Sequence, residues 1–129
     1  MVKEFCGLFG VYNNDQASML TFLGLYSLQH RGEESCGIIS FDGTAFNSHL
    51  GMGLVSDVFA ESEIAKLKGF QAIGHVRYST TGSSALRNAQ PLFADSKKLP
   101  LALAHNGNLV NSQKLREKLE DKGAIFQTT

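Results

Sequence analysis

Tryptophan is absent from this 129-residue chain, and proline and cysteine occur twice each. Two cysteines, Cys6 and Cys36, are too few for a disulfide framework and lack the CxxC spacing of a redox or zinc pair, so both are read as thiols in a reducing, cytoplasmic compartment. Apolar runs of ~18 residues are missing as well, which argues against a transmembrane helix. Residues 1–5 carry Lys3 and Glu4 and lead into no signal-peptide core. Charge of one sign is not in excess either: twelve Lys and Arg balance twelve Asp and Glu. No nucleic-acid or anionic-membrane footprint follows, and small neutral or zwitterionic partners fit better. The four histidines, His30, His49, His75 and His105, stand in separate segments without HExxH-type spacing, so no metal is expected.

The chain does hold enough hydrophobic residues, 43%, for one modest core. CGLFGVY, residues 6–12, reads as a short strand. Asn14 and Asp15 look like helix caps, Met19, Phe22, Leu23 and Tyr26 recur at helical spacing, and Gly32 is placed to end the helix in a left-handed conformation. CGIISF, the Asp42-Gly43 pair and TAFNSHL predict a hairpin closed by a type I′ turn. A charged helix over residues 61–68 stops at Gly69, and QAIGHVRY and LALAHN read as further strands. Asn111 is a candidate N-cap with Val110 and Leu115 as a hydrophobic staple, and the helix it opens ends at Gly123. IFQTT then looks like the start of another strand. This order predicts a layered α+β domain, incomplete within these residues. Residues 79–100 form the one long irregular stretch, which at that length reads as a functional loop.

Four places could carry chemistry. Cys6 is either a small core thiol or a nucleophile. If the residues before it are removed, its own α-amine, with a reference pKa of about 8, becomes a general base within reach. HVRYSTTG sets Arg77 at a strand end, where its planar fork would hold a carboxylate or pair with an acid. AHNGNL sets Asn106 and Gly107 past another strand, either as a plain turn or as two donors for a developing oxyanion. LQHRGEES closes the first helix with a polar cluster in which Arg31 and Gly32 either support a ligand or form a helix cap followed by solvated Glu33 and Glu34. GMGLVS and TTGSS are partial phosphate-loop patterns without the flanking strand, helix or lysine that would give them meaning.

Four phrases in one order, CGLFGVY, YSLQHRGEESCGI, GHVRYSTTGSSALRNAQPL and LALAHNGNLVN, together resemble the glutaminase domain of the glutamine phosphoribosylpyrophosphate amidotransferase family. The resemblance covers the chain from Cys6 onward. Sister families that share the Cys-Gly start, such as glucosamine-6-phosphate synthase, typically carry a tyrosine before the Arg-Gly and a tryptophan after the later arginine, and this chain has neither. Cys36 stands where relatives commonly carry Ala and is read as an apolar strand residue.

The resemblance implies an N-terminal nucleophile hydrolase with a four-layer αββα sandwich, residues 1–5 as a propeptide and residues 6–129 as the first part of the glutaminase domain. It implies Cys6 as nucleophile, Asn106 and Gly107 as oxyanion donors, and Arg77, Tyr78, Ser79, Thr80, Arg31 and Gly32 around glutamine. The implied function is release of ammonia from glutamine for conversion of phosphoribosyl pyrophosphate to 5-phosphoribosylamine in purine biosynthesis. The alternatives are the glutaminase domain of another class II amidotransferase or an inactive fragment. No cofactor is implied within these residues, with Mg²⁺ and, as an option, a 4Fe-4S cluster assigned to a full-length, homo-oligomeric enzyme. An aspartate that grips the glutamine amino group in the family would follow IFQTT.

Overall fold

The computed structural model describes residues 6–79 and 84–128. Strand β1 (Gly7–Tyr12) leads into helix α1 (Ala17–Leu28), and the hairpin strands β2 (Ser35–Phe41) and β3 (Phe46–Met52) follow. Two short helices, α2 (Val55–Val58) and α3 (Glu61–Lys66), precede β4 (Gln71–Arg77). Strands β5 (Leu92–Ala94) and β6 (Leu101–Leu103) and helix α4 (Ser112–Glu120) complete the described elements.

The first four strands form one antiparallel sheet in the order β1-β4-β2-β3, so β4, far along the sequence, lies between β1 and β2. Val76 pairs with Gly7 on one side and Cys36 on the other. Because paired residues point to the same side of a sheet, register sorts the side chains into two faces. Phe9, Val11, Ile38, Ala72, Gly74 and Val76 face the helices. Gly10, Gly37, Ile39, Ile73 and His75 face the second sheet, β5-β6. Gln90, just before β5, brings its carbonyl against Gly37, and the Phe93 ring sits 5.1 Å from that of Phe46. The layers are therefore helix, four-stranded sheet and two-stranded sheet.

Helix α1 meets the sheet through Ala17, Ser18, Thr21 and Leu25. A methyl group at Gly74 would come within 2.7 Å of Leu25 and Thr21, so the missing side chain is what lets the helix lie this close. Leu25 is fully buried, a gain of ~2 kcal/mol over an exposed leucine. The stripe Met19, Phe22, Leu23 and Tyr26 has helical period but is not the buried face: Phe22 is half-buried and the other three are exposed. The core continues through Cys36, Ile38, Val55, Phe59, Ile64, Leu67 and Val76.

Several elements differ from the sequence reading. The N-cap of α1 is Gln16, without a side-chain bond, rather than Asn14 or Asp15; Asn14 lies in the turn leading into the helix, its Oδ1 accepting the Gln16 N–H at 2.8 Å. The helix ends through a 3₁₀ turn at Gln29–Arg31, and Gly32 is extended at φ −161°, not left-handed. The hairpin turn spans four residues rather than an Asp-Gly pair: Asp42 Oδ1 accepts the N–H groups of Thr44 and Ala45, both at 2.8 Å, and only Gly43 has positive φ. The helix α2 and the strand β5, the latter inside the expected irregular stretch, were not legible. Asn111 occupies the N-cap position without a side-chain bond, and Val110 is fully exposed, so no staple forms with Leu115. Residues 124–128 join no strand; Arg116 instead stacks over Phe126 at 4.5 Å and donates to the Thr128 carbonyl at 3.3 Å.

Candidate active site

Antiparallel pairing brings the start of β1, the end of β4 and the start of β2 to one edge of the sheet, because Gly7 opposes Val76 and Ser35 opposes Arg77. Cys6 stands at that edge. Its Sγ accepts the Tyr78 N–H at 3.4 Å and lies 3.5 Å from the Tyr78 carbonyl. The Cys6 carbonyl accepts from Arg31 Nε at 3.0 Å and from Asn106 Nδ2 at 3.1 Å. Four segments, distant in sequence, therefore meet around one partly exposed thiol.

Arg77 is buried and ion-paired with Glu34, and the same Nη1 donates to Ser79 Oγ at 2.8 Å. Glu34 also accepts the Ser79 N–H at 3.0 Å through its other oxygen, while its backbone N–H donates to the Arg77 carbonyl at 3.2 Å. The reading of Glu34 as solvated is thus corrected: the turn after the 3₁₀ segment folds its carboxylate under the end of β4, and only Glu33 is exposed. Gly32 earns its place by proximity. A Cβ there would fall 2.8 Å from the backbone of Val76 and Arg77.

Asn106 and Gly107 follow β6 in a turn where Gly107 takes φ +149°. His75 is completely buried beneath this turn and its Nε2 lies 3.2 Å from the His105 carbonyl. Burial holds the His75 imidazole at a pKa of about 4, well below the usual value, and the Arg77 charge pushes the same way. The ring is accordingly neutral near pH 7, with Nε2 carrying the proton it donates. Gln90 Oε1 accepts the His105 N–H at 2.7 Å.

Cys6, Asn106, Arg31, Tyr78, Arg77, Ser79 and Gly32 are thus brought to one edge, linked through Cys6 or through Arg77, and Gly107 adjoins Asn106. Thr80 and residues 1–5, the expected propeptide, lie outside the described residues. Sequence reasoning missed Glu34, His75 and Gln90. Strand alternation was the available signal for His75, since it puts that residue on the same face as Arg77. Cys36 is buried near the start of β2, and burial, with Asp57 nearby, pushes its thiol up to about 12, which suits the apolar role.

Among the described residues no three His, Cys, Asp or Glu side chains gather to hold a metal. A ligand set for Mg²⁺ or a 4Fe-4S cluster is therefore not found in them. Hollows of about 560 Å³ between α1 and α3 and about 450 Å³ between the sheets open away from Cys6, and the second is lined mainly by apolar groups such as Ile39, Phe46 and Ile73. Neither brings nucleophile, donor and cation together. No helix among the described residues is long and apolar enough to cross a membrane.

The family model described as glutamine amidotransferases class-II matches residues 5–124. The amidophosphoribosyltransferase of Synechocystis is 55% identical over 98% of this chain, and that of Bacillus subtilis 49% identical over 99%. The chain spans about a quarter of the length of these curated relatives, 26% and 27%. A solved structure described as the allosteric regulatory enzyme of purine biosynthesis superposes with a TM-score of 0.89 over 94% of this chain and 26% of that one, at 49% identity. A second, the B. subtilis glutamine phosphoribosylpyrophosphate amidotransferase complexed with ADP and GMP, gives 0.87 at 47% identity, covering 95% and 26%. With nearly the whole chain matched and the thiol, arginine and Asn-Gly turn in place, this protein belongs to the class-II glutamine amidotransferases.

Proposed function

We propose that this chain is the glutamine-hydrolysing part of an amidophosphoribosyltransferase, supplying ammonia for the conversion of phosphoribosyl pyrophosphate to 5-phosphoribosylamine. The observation that carries the proposal is the junction of Cys6 with Asn106 at the sheet edge that also presents Arg77. Identities near 50% to curated amidophosphoribosyltransferases support this branch over the other class II enzymes.

Removal of residues 1–5 would free the Cys6 α-amine to accept the thiol proton. The thiolate adds to the side-chain carbonyl of glutamine. Asn106 Nδ2 carries two protons; one holds the Cys6 carbonyl, and the other, with the Gly107 N–H, meets the oxyanion. Collapse releases ammonia, which takes the proton from the α-amine, and leaves a cysteinyl thioester. Water then hydrolyses the thioester to glutamate and restores the thiol. Arg77, braced by Glu34, faces the glutamine carboxylate with Tyr78 and Ser79 along the same wall, and Arg31 and Gly32 form the other side.

The αββα sandwich belongs to the same reading, with α4 opening the second helical layer. A free thiol nucleophile suits a reducing compartment; the Arabidopsis relative is named chloroplastic, and cytoplasm or plastid would both serve. Transfer of ammonia to phosphoribosyl pyrophosphate, and any use of Mg²⁺ or a 4Fe-4S cluster, fall to residues outside the described set.

Intact mass, followed by incubation with the glutamine analogue diazo-oxonorleucine and peptide mapping, tests the proposal. Loss of the mass of residues 1–5 together with a single adduct on Cys6 is the expected result. A processed chain that leaves Cys6 unmodified while hydrolysing no glutamine would overturn it.

A further inference from the structure

The His105 peptide groups are held on both sides by side chains that the proposed mechanism does not use. The N–H donates to Gln90 Oε1 at 2.7 Å, and the carbonyl sits 3.2 Å from His75 Nε2. That carbonyl shares its rigid peptide plane with the N–H of Asn106. Its orientation therefore sets where the Asn106 Cα, and with it the amide donor, stands. Each clamp is itself anchored. His75 is fully buried in β4, two residues before Arg77, and Gln90 is fixed by its own carbonyl, which packs so tightly on Gly37 that a Cβ there would approach to 2.4 Å.

We infer that His75 and Gln90 are positioning residues that fix the Asn106-Gly107 turn at the oxyanion site, so that one strand, β4, carries both the carboxylate-binding Arg77 and the register of the oxyanion donor. The inference rests on the glutaminase reading for its chemical consequence, though not for the geometry. A donor aimed at a developing oxyanion matters most in the transition state. Loosening the clamp thus acts on kcat, whereas loosening Arg77 acts on KM. The donor at position 75 is the neutral imidazole Nε2–H, whose place the side-chain amide of glutamine can take.

The test compares His75→Leu, His75→Gln, Gln90→Leu and Gln90→Glu in the full-length protein. Both leucine variants are expected to lower kcat for glutamine hydrolysis by about 10 to 100-fold, the scale of a ~1 Å misplacement, with KM changed less than about twofold. His75→Gln and Gln90→Glu, which keep donor and acceptor respectively, are expected to recover most of the rate. Amide hydrogen exchange at residues 105–107 supplies a readout independent of catalysis and is expected to quicken in the leucine variants only. If the parent hydrolyses glutamine and both leucine variants keep its kcat, the inference is wrong. If the parent has no glutaminase activity, that defeats the functional reading, and exchange decides the clamp: unchanged rates at residues 105–107 in both leucine variants overturn it. Gln90 is only partly buried, so Gln90→Leu keeps the test open should His75→Leu fail to fold.

Discussion

Asn106 donates its side-chain amide to the carbonyl of Cys6 at 3.1 Å, across one hundred positions of sequence. The bond ties the turn after β6 to Cys6, the residue on which a tetrahedral intermediate would form. Replacing Asn106 with alanine should therefore lower kcat for glutamine hydrolysis by about 10² to 10³-fold, with a smaller effect on KM. Steady-state kinetics of the purified variant would show it. A kcat within threefold of the parent would remove Asn106 from the oxyanion site.

The two thiols should separate cleanly by reactivity. Cys36 is buried and pushed up to about 12, so at neutral pH its thiolate fraction is on the order of 10⁻⁵ and solvent does not reach it. Cys6 is partly exposed and accepts a backbone N–H. Iodoacetamide at pH 7.5 is expected to label Cys6 alone in the native protein and both cysteines after unfolding. Cys36→Ala should retain glutaminase activity, since its thiol only fills space beside the Gly53 carbonyl at 3.8 Å.

How far the sequence alone leads is visible in particular residues. Strands β1 to β4 and β6 were legible from local pattern, such as the alternation in QAIGHVRY, whereas Cys6, Arg77 and the Asn106-Gly107 turn, each ambiguous alone, were singled out by the four phrases taken together. The buried face of α1 was not. Its apolar stripe has the right period, but the sheet accepts the helix through Gly74, and that close approach selects Thr21 and Leu25 instead. Glu34 was taken for a solvated acid because its partner Arg77 is 43 residues away, and nothing near it in sequence announces the pair. Gly32 was assigned a left-handed φ from its place after a helix, yet it is required by what lies above it. Tertiary packing decided each of these, and local propensity carries no record of it.

Glu34 neutralises Arg77 at a site where the two side chains are only 14% and 10% exposed. Removing one member of such a pair costs about 3 kcal/mol, partly relieved by the residual exposure and by the bond that Arg77 keeps to Ser79. Glu34→Ala should accordingly lower the unfolding free energy by a few kcal/mol and raise KM for glutamine, because the guanidinium loses its brace. Glu34→Gln, which can still accept from Ser79 N–H, should fall between. Chemical denaturation alongside kinetics would check both effects.

Gly32→Ala tests the close approach at the other wall. Backbone atoms of Val76 and Arg77 would sit 2.8 Å from the new methyl group, and backbone cannot rotate away as a side chain can. A loss of about 1 to 3 kcal/mol is expected, with Arg77 displaced and KM raised. An alanine variant as stable as the parent and unchanged in KM would show that the segment yields without disturbing the site.

His75 should leave a signature in the pH dependence of stability. Its imidazole is held at about 4 in the folded protein, mainly by burial, with electrostatic repulsion from Arg77 pushing the same way and the hydrogen bond to the His105 carbonyl opposing it. The unfolded chain, at about 6.5, binds the proton more readily. Between pH 6.5 and 4 the unfolded state therefore carries more protons than the folded state, and stability must rise with pH across that window. The contribution is fully present above pH 6.5, is lost progressively as pH falls toward 4, and amounts to on the order of 3 kcal/mol. Subtracting the curve of His75→Gln, which cannot titrate, cancels every other group and isolates this term. The difference curve is expected to be flat above pH 6.5 and to slope downward below it; a flat difference from pH 7 to pH 4 would mean that the folded protein does not lower the affinity of the ring for its proton.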